Sequence, residues 1–254
     1  MKFIRNLLIV AVLLGLIAAG VIALFPARTA VEWLAPRLGA VKLEEVSGTI
    51  WNGQAGRFSV RNQPLGVLGW SISPRSLLQW ALIGEVRLQG ERFEGESQLH
   101  VTGALSGEFS NTRLVFPAEL LNPALDIPGL TPVGKVEVLL SEARLASGYP
   151  QHLDGKAIWR NAAVAGEAAA SFGDLTAEFR SVPGGKINGV LGDNGGNLSL
   201  EGTFEFAATG YDAEAILAAR DGNPDVIKAL GWIGERQPDG SSILKVSGRM
   251  LPLR

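Results

Sequence analysis

Two imidazoles, His100 and His152, and no cysteine make up the chain's supply of the side chains that most often serve as bases, metal ligands and thiolate nucleophiles. His100 stands between Leu99 and Val101, where alternation places it on the polar side of a strand, and a solvated strand histidine is its simplest reading. His152 lies in Tyr149-Pro150-Gln151-His152, which reads as a turn, with no second imidazole four residues on and no acidic partner at metal-ligand spacing. Glu94 and Glu96 would share one face of a strand, as the paired acids of a glycosidase can, but an exposed polar face accounts for them more simply, and Glu44 with Glu45 reads the same way. Asp193-Asn194-Gly195-Gly196-Asn197 lacks the alternating acidic ligands and closing glutamate of a calcium loop and reads as a turn. There is no Gly-x-Ser-x-Gly elbow, no phosphate-binding Gly-x-x-x-x-Gly-Lys loop and no dinucleotide fingerprint. The expectation is a protein without catalytic residues, metal ligands or cofactor.

The elements around these residues are strands. A motif of two apolar residues flanking a polar one, with glycine just beyond, recurs at Val86-Leu88-Gly90, Leu99-Val101-Gly103, Leu198-Leu200-Gly202 and Leu244-Val246-Gly248. Period-two alternation puts the apolar members on one face of a half-buried strand. Val136-Val138-Leu140, Leu175-Ala177-Phe179 and Phe204-Phe206 alternate likewise. Pro183-Gly184-Gly185, Asn194-Gly195-Gly196 and Asp239-Gly240 separate such segments and supply the residues that hairpin turns need. Short helices are expected at Pro74 to Leu82, and at Pro224 to Leu230 with Asn223 as the cap. Four prolines between Pro117 and Pro132 predict a long loop or a junction between two sheet halves. The fold class is therefore mainly β, an antiparallel, curved or meander-type sheet with few short helices. Its apolar face must be buried by closure, by a second sheet or by curvature around an apolar ligand. Trp51, Trp70, Trp80, Trp159 and Trp232 sit in strand or glycine-rich contexts, where such rings fill a core or cover a sheet face.

Ahead of the strands, Leu7 to Phe25 is drawn only from Leu, Ile, Val, Ala, Gly and Phe, and its length matches the roughly twenty residues of a membrane-crossing helix. Lys2 and Arg5 precede it, which keeps the N-terminus in the cytoplasm and exports the chain beyond Pro26. A cleavable signal peptide is the rival, but its apolar region is usually about 7 to 15 residues and ends at a small-x-small site. The reading is thus a tail and anchor over residues 1–27 and one exported β-rich domain over residues 28–254. Val31, Leu34 and Leu38 lie at helical spacing beside Trp33, as in a helix at the membrane surface or one packed on the domain. A net charge of −2 gives no electrostatic footprint for nucleic acid.

One block is more specific than the rest. Val46-Ser47-Gly48-Thr49-Ile50-Trp51-Asn52-Gly53, followed by Leu68-Gly69-Trp70, Pro74 and Leu77-Leu78, resembles the protein N family of the bacterial type II secretion system, and the resemblance continues through Trp159-Arg160-Asn161-Ala162, Ala229-Leu230-Gly231, Asp239-Gly240 and Gly248. It implies a single-pass inner-membrane protein whose bulk faces the periplasm, an accessory of the platform that exports folded proteins, with other inner-membrane components as partners. The family carries no catalytic motif to transfer. Gly48, Thr49, Trp51, Gly53 and Trp70 are the candidate fold or interaction motif, with the two glycines expected to bracket a short strand and Trp51 to anchor the sheet against the Trp70 segment. The alternative function is a membrane-anchored carrier of lipid or another hydrophobic ligand, resembling AsmA-like envelope proteins; no small-molecule ligand other than a lipid is expected.

Overall fold

The computed structural model describes residues 20, 22–103, 106–125, 127–146, 149–207 and 209–249. They fall into two compact units, Met1–Glu91 and Arg92–Arg254. The expected span from Leu7 to Phe25 lies for the most part outside the described residues, and among these no helix is long and apolar enough to cross a membrane.

In the first unit, helix α1 (Ala27–Leu34) runs into a 3-10 turn at Ala35–Arg37, where Pro36 withholds the amide that would continue it. Strands β1 (Val41–Gly48), β2 (Asn52–Val60), β3 (Gln63–Ile72) and β4 (Leu82–Gln89) then pair in chain order, each antiparallel to the last. The helix expected from Pro74 to Leu82 is shorter, a 3-10 segment over Pro74–Gln79. Trp80 takes a left-handed backbone conformation, φ 54°, which ends that segment and leaves Leu82 to open β4.

The second unit repeats the meander with longer strands. β5 (Glu94–Gly103), β6 (Ser106–Pro117), β7 (Leu130–Ala146), β8 (Tyr149–Gly166), β9 (Ala170–Val182), β10 (Lys186–Asp193), β11 (Leu198–Ala207) and β12 (Gly210–Ala219) lie in sequence order, followed by β14 (Ser242–Arg249) and then the two-residue β13 (Glu235–Arg236). All described pairings are antiparallel, and every alternating segment read from the sequence is a strand. The Pro183, Asn194 and Asp239 turns join β9 to β10, β10 to β11 and β13 to β14.

Two expectations are corrected. The proline-rich stretch is a compact connection within the β6–β7 hairpin, built of a 3-10 turn at Ala118–Leu121 and a helical turn α2 at Asn122–Leu125. Pro132 belongs to β7, opposite Val164 and beside a register shift between Val133 and Lys135, the kind of irregularity where a missing strand amide is tolerated. Tyr149 to His152 belongs to β8, because β7 and β8 pair as far as Ala146 and Tyr149.

Helix α3 (Pro224–Leu230) covers one end of the apolar face of this unit. Asn223 caps it by accepting hydrogen bonds from the amides of Asp225 (3.1 Å) and Val226 (3.2 Å). Val226, Ala229 and Leu230 are buried with Phe172, Leu198, Leu200 and Leu217, and the buried Ser242 hydroxyl donates to the Leu230 carbonyl at 3.1 Å, taking up an acceptor that the helix end leaves open. Farther along the same face, no helix among the described residues covers the strands. There the Phe179 and Phe204 rings meet edge to face, centroids 6.3 Å apart, across Gly189 of the intervening strand.

Candidate functional site

The Gly48–Gly53 block is a hairpin tip. Gly48 and Gly53 pair across it, so Thr49, Ile50 and Trp51 form the turn between β1 and β2, which corrects the expectation of a strand bracketed by two glycines. The reason is local chemistry: the Thr49 amide donates to the Asn52 carbonyl at 2.9 Å, and the Thr49 hydroxyl accepts from the Asn52 amide at 3.1 Å, a side-chain bond that favours turns over continued strand. Gly48 sits at φ 84°, and a Cβ there would stand 2.5 Å from the Asn52 carbonyl oxygen and 2.8 Å from the Gly53 Cα, so conformation and space both exclude a side chain. At Gly53 a Cβ would meet the Trp70 ring at 2.6 Å and the Ser47 and Thr49 carbonyl oxygens at 2.8 Å.

All five residues of the candidate motif come together here. Trp70 lies opposite Gly53, its ring fills the space over that glycine, and its indole Nε1 donates to the Thr49 carbonyl at 3.3 Å. Trp51 turns elsewhere than expected. Its carbonyl accepts from the Ile72 amide at 2.6 Å, which ties the turn to the strand carrying Trp70, but its indole, only 8% exposed, donates to the Ile22 carbonyl at 2.8 Å. The Ile50 amide donates to the Phe25 carbonyl at 3.1 Å, and Pro26 bridges to Thr49. The turn therefore grips the chain where the apolar N-terminal run ends. Beside it, a shallow groove of about 610 Å³ is lined by residues including Asn52, Gln54, Ser71, Glu85 and Arg87.

The other residues weighed for chemistry stay apart. Glu44 and Glu45 both bind Arg57, at 2.9 and 3.2 Å, and Glu94 and Glu96 are exposed. The nearest carboxylate to His100 Nδ1 is Glu108 at 3.8 Å, and His152 Nε2 lies 3.5 Å from Asp154. Among the described residues no cluster of three histidine or acidic side chains could hold a metal ion. Asp193 holds its turn: its carboxylate accepts from the Gly195 amide at 2.8 Å, the Leu200 amide at 2.9 Å and Arg220 Nη2 at 2.6 Å. Burial pushes that carboxyl up, but the two amides and the Arg220 charge outweigh it and leave its pKa below the usual aspartate range.

Two features escaped the sequence. Arg113, Glu137, Arg160 and Asp174 form an ionic ladder across β6 to β9, with Arg113 Nε to Glu137 at 2.8 Å, Arg160 to Glu137 at 3.4 Å and Arg160 to Asp174 at 2.9 Å. The Arg113 hydrogen bond holds the Glu137 carboxyl below its ordinary value, and the Asn161 amide, with Arg160, does the same for Asp174. Only the register places these four in line; the Trp159-Arg160-Asn161-Ala162 block was the available signal. The second feature is a groove of about 1760 Å³ in the second unit, bordered by strands from β5 to β14, with Leu140, Phe179, Phe204 and Val246 on the shared apolar face.

The class these features define is an antiparallel β-meander whose most specific sequence block is a structural grip on the end of an apolar N-terminal segment. The chain belongs to the type II secretion system protein N family, whose profile matches residues 39–244. It is 26% identical over 230 residues to the type II secretion system protein N of Vibrio cholerae serotype O1, covering 87% of this chain and 88% of that one. The proteins of the same description from Aeromonas hydrophila and Klebsiella pneumoniae are 28% identical over 162 residues and 26% identical over 195, covering 62% and 74% of this chain and 64% and 75% of theirs. No solved structure matches the chain significantly.

Proposed function

We propose that this protein is a non-enzymatic, single-pass inner-membrane accessory of the type II secretion system. Residues 1–27 form the cytoplasmic tail and anchor, and residues 28–254 stand in the periplasm and contact other inner-membrane components of the platform during export across the outer membrane. The family match over residues 39–244 carries this reading. The apolar run from Leu7 to Phe25, with Lys2 and Arg5 before it, supports the anchor and its orientation. Gly48, Thr49, Trp51, Gly53 and Trp70 serve the fold at the anchor's exit rather than a reaction. A reporter active only outside the cytoplasm, fused after Arg254, is expected to be active; an inactive fusion refutes the topology.

A second reading is favoured by one observation, the groove of about 1760 Å³ with Leu140, Phe179, Phe204 and Val246 on its apolar face. Its volume exceeds the roughly 300 to 1,000 Å³ of ordinary small-molecule pockets, so size alone admits a lipid. Lipid recovered in equimolar amount from the detergent-purified protein would favour a carrier; protein free of bound lipid leaves the secretion role as the sole reading.

A further inference from the structure

Leu24, Trp33 and Trp80 are 74%, 70% and 92% exposed, and all three belong to the first unit. Singly, an exposed apolar residue means little; several tryptophans and leucines gathered at one end of a sheet mark a surface that something covers. The pairings show that they are gathered. The β1–β2 turn and the β3–β4 connection lie at the same end of this unit, because Ile72 donates to the Trp51 carbonyl and the Ser73 amide donates to the Ile83 carbonyl at 2.8 Å. Trp80 is in that connection. The chain enters the same end from its N-terminal side, through the hydrogen bonds from Trp51 and Ile50 to the Ile22 and Phe25 carbonyls.

Helix α1 leaves from that point. It buries Ala27 and half-buries Ala30 and Val31, while Trp33 and Leu34 remain open, and the Trp33 ring lies 5.5 Å from that of Phe25. Its other flank carries Arg28 and Glu32, paired at 3.1 Å and exposed. The apolar flank packs on β1, which leaves the Trp33 ring, beside Phe25 where the apolar run ends, open to the surroundings, and tryptophan is the residue enriched at membrane interfaces.

We infer that this end of the first unit rests on the phospholipid bilayer, with Trp33 and Trp80 in the headgroup layer and the Thr49–Asn52 turn acting as the socket that fixes the membrane helix where it emerges. The occupant is set by the chain itself: the nineteen-residue apolar run from Leu7 stops at Phe25, three residues after the carbonyl that Trp51 holds. A carbonyl at a helix end has no partner within the helix, and at the edge of hydrocarbon it has little water to bond, so a fixed indole donor is worth more there than in solution. The socket also explains why a buried tryptophan, rather than another apolar residue, follows Thr49-Ile50: its ring packs while its N–H reaches out. This inference rests on the anchored reading above and adds the surface that meets the lipid.

The absence of cysteine makes the test direct. Full-length Trp33→Cys, Trp80→Cys and Gln63→Cys proteins are labelled with a polarity-sensitive fluorophore and reconstituted in phosphatidylethanolamine–phosphatidylglycerol vesicles carrying a nitroxide near the headgroup or deep in the acyl chain. Gln63, exposed at the β2–β3 turn at the opposite end of the same unit, is the reference. Positions 33 and 80 are expected to emit at shorter wavelength and to be quenched more strongly by the shallow nitroxide than by the deep one, consistent with insertion of about 5–10 Å; position 63 should be quenched by neither. Protein released by alkaline carbonate overturns the anchor itself. Protein retained but unquenched at 33 and 80 overturns only the surface, and a signal that follows protein-to-lipid ratio instead of nitroxide assigns it to a second copy. Trp51→Phe keeps an aromatic ring, though a smaller one, and removes the donor, so quenching at position 80 should fall while carbonate resistance stays; unchanged quenching overturns the socket.

Discussion

Gly53→Ala adds one methyl group where the turn has no room for it. The new Cβ would stand 2.6 Å from the Trp70 ring and 2.8 Å from two backbone carbonyl oxygens, those of Ser47 and Thr49. The ring can shift, but the carbonyls belong to the paired backbone and cannot both move without opening the hairpin. Overpacking of this kind costs about 1–3 kcal/mol. If the cost falls on the local structure, the turn opens about 5- to 150-fold more often. Hydrogen exchange reads that opening at the amides of Thr49, Ile50 and Asn52, which bond to Asn52, Phe25 and the Thr49 hydroxyl. Gly69→Ala is the matched control on β3: its nearest neighbour would be the Arg87 carbonyl oxygen at 4.0 Å, so it should leave exchange unchanged or slow it slightly, since glycine in a strand is itself unfavourable by about 0.5–1 kcal/mol relative to alanine. Equal exchange in the Gly53→Ala and native turns would refute the claim that close packing fixes this block.

Trp51→Ala empties a site only 8% exposed and should destabilise the first unit by about 3–5 kcal/mol, seen as loss of exchange protection in β1 to β3 but not in β9 to β12. Asn223→Ala removes the acceptor for two helix amides and should cost about 1 kcal/mol in denaturant unfolding of the second unit, with Asn223→Ser recovering most of it. Glu137, Asp174 and Asp193 all have folded pKa values below their unfolded ones, so their stabilisation is complete above the ordinary carboxylate range and is lost as pH falls through the folded values. The denaturation midpoint should therefore drop between about pH 5 and pH 2, and Asp193→Ala should lower it at pH 7 far more than at pH 2. A midpoint flat across that range would mean that these carboxylates carry no share of the stability.

What could be read from the sequence was what depends on near neighbours. The Asn223-Pro224 helix start, the glycine turns and the alternating strands each follow from a few consecutive residues, and the structure bears them out. The Gly48–Gly53 block stood out by composition, yet its conformation did not, because its partners are Ile22, Phe25, Trp70 and Ile72. Tyr149-Pro150 looked like a turn because proline usually marks one, and cross-strand pairing to Leu145 and Ala146 overrode that preference. The Arg113–Glu137–Arg160–Asp174 ladder needs a register that includes the irregularity between Trp159 and Ala162, and alternation alone cannot supply it. Trp80 read as core or sheet cover and is instead the most exposed large apolar side chain described.

Membership in the secretion family makes one measurement decisive. The gene is deleted in its own bacterium, secreted proteins in the culture medium are compared with those retained in the periplasm, and envelope permeability to detergent is measured in the same strain. Periplasmic retention with an intact barrier, restored by the native chain, is the expected result. Normal secretion with a leaky envelope would contradict the secretion role and leave the lipid carrier standing.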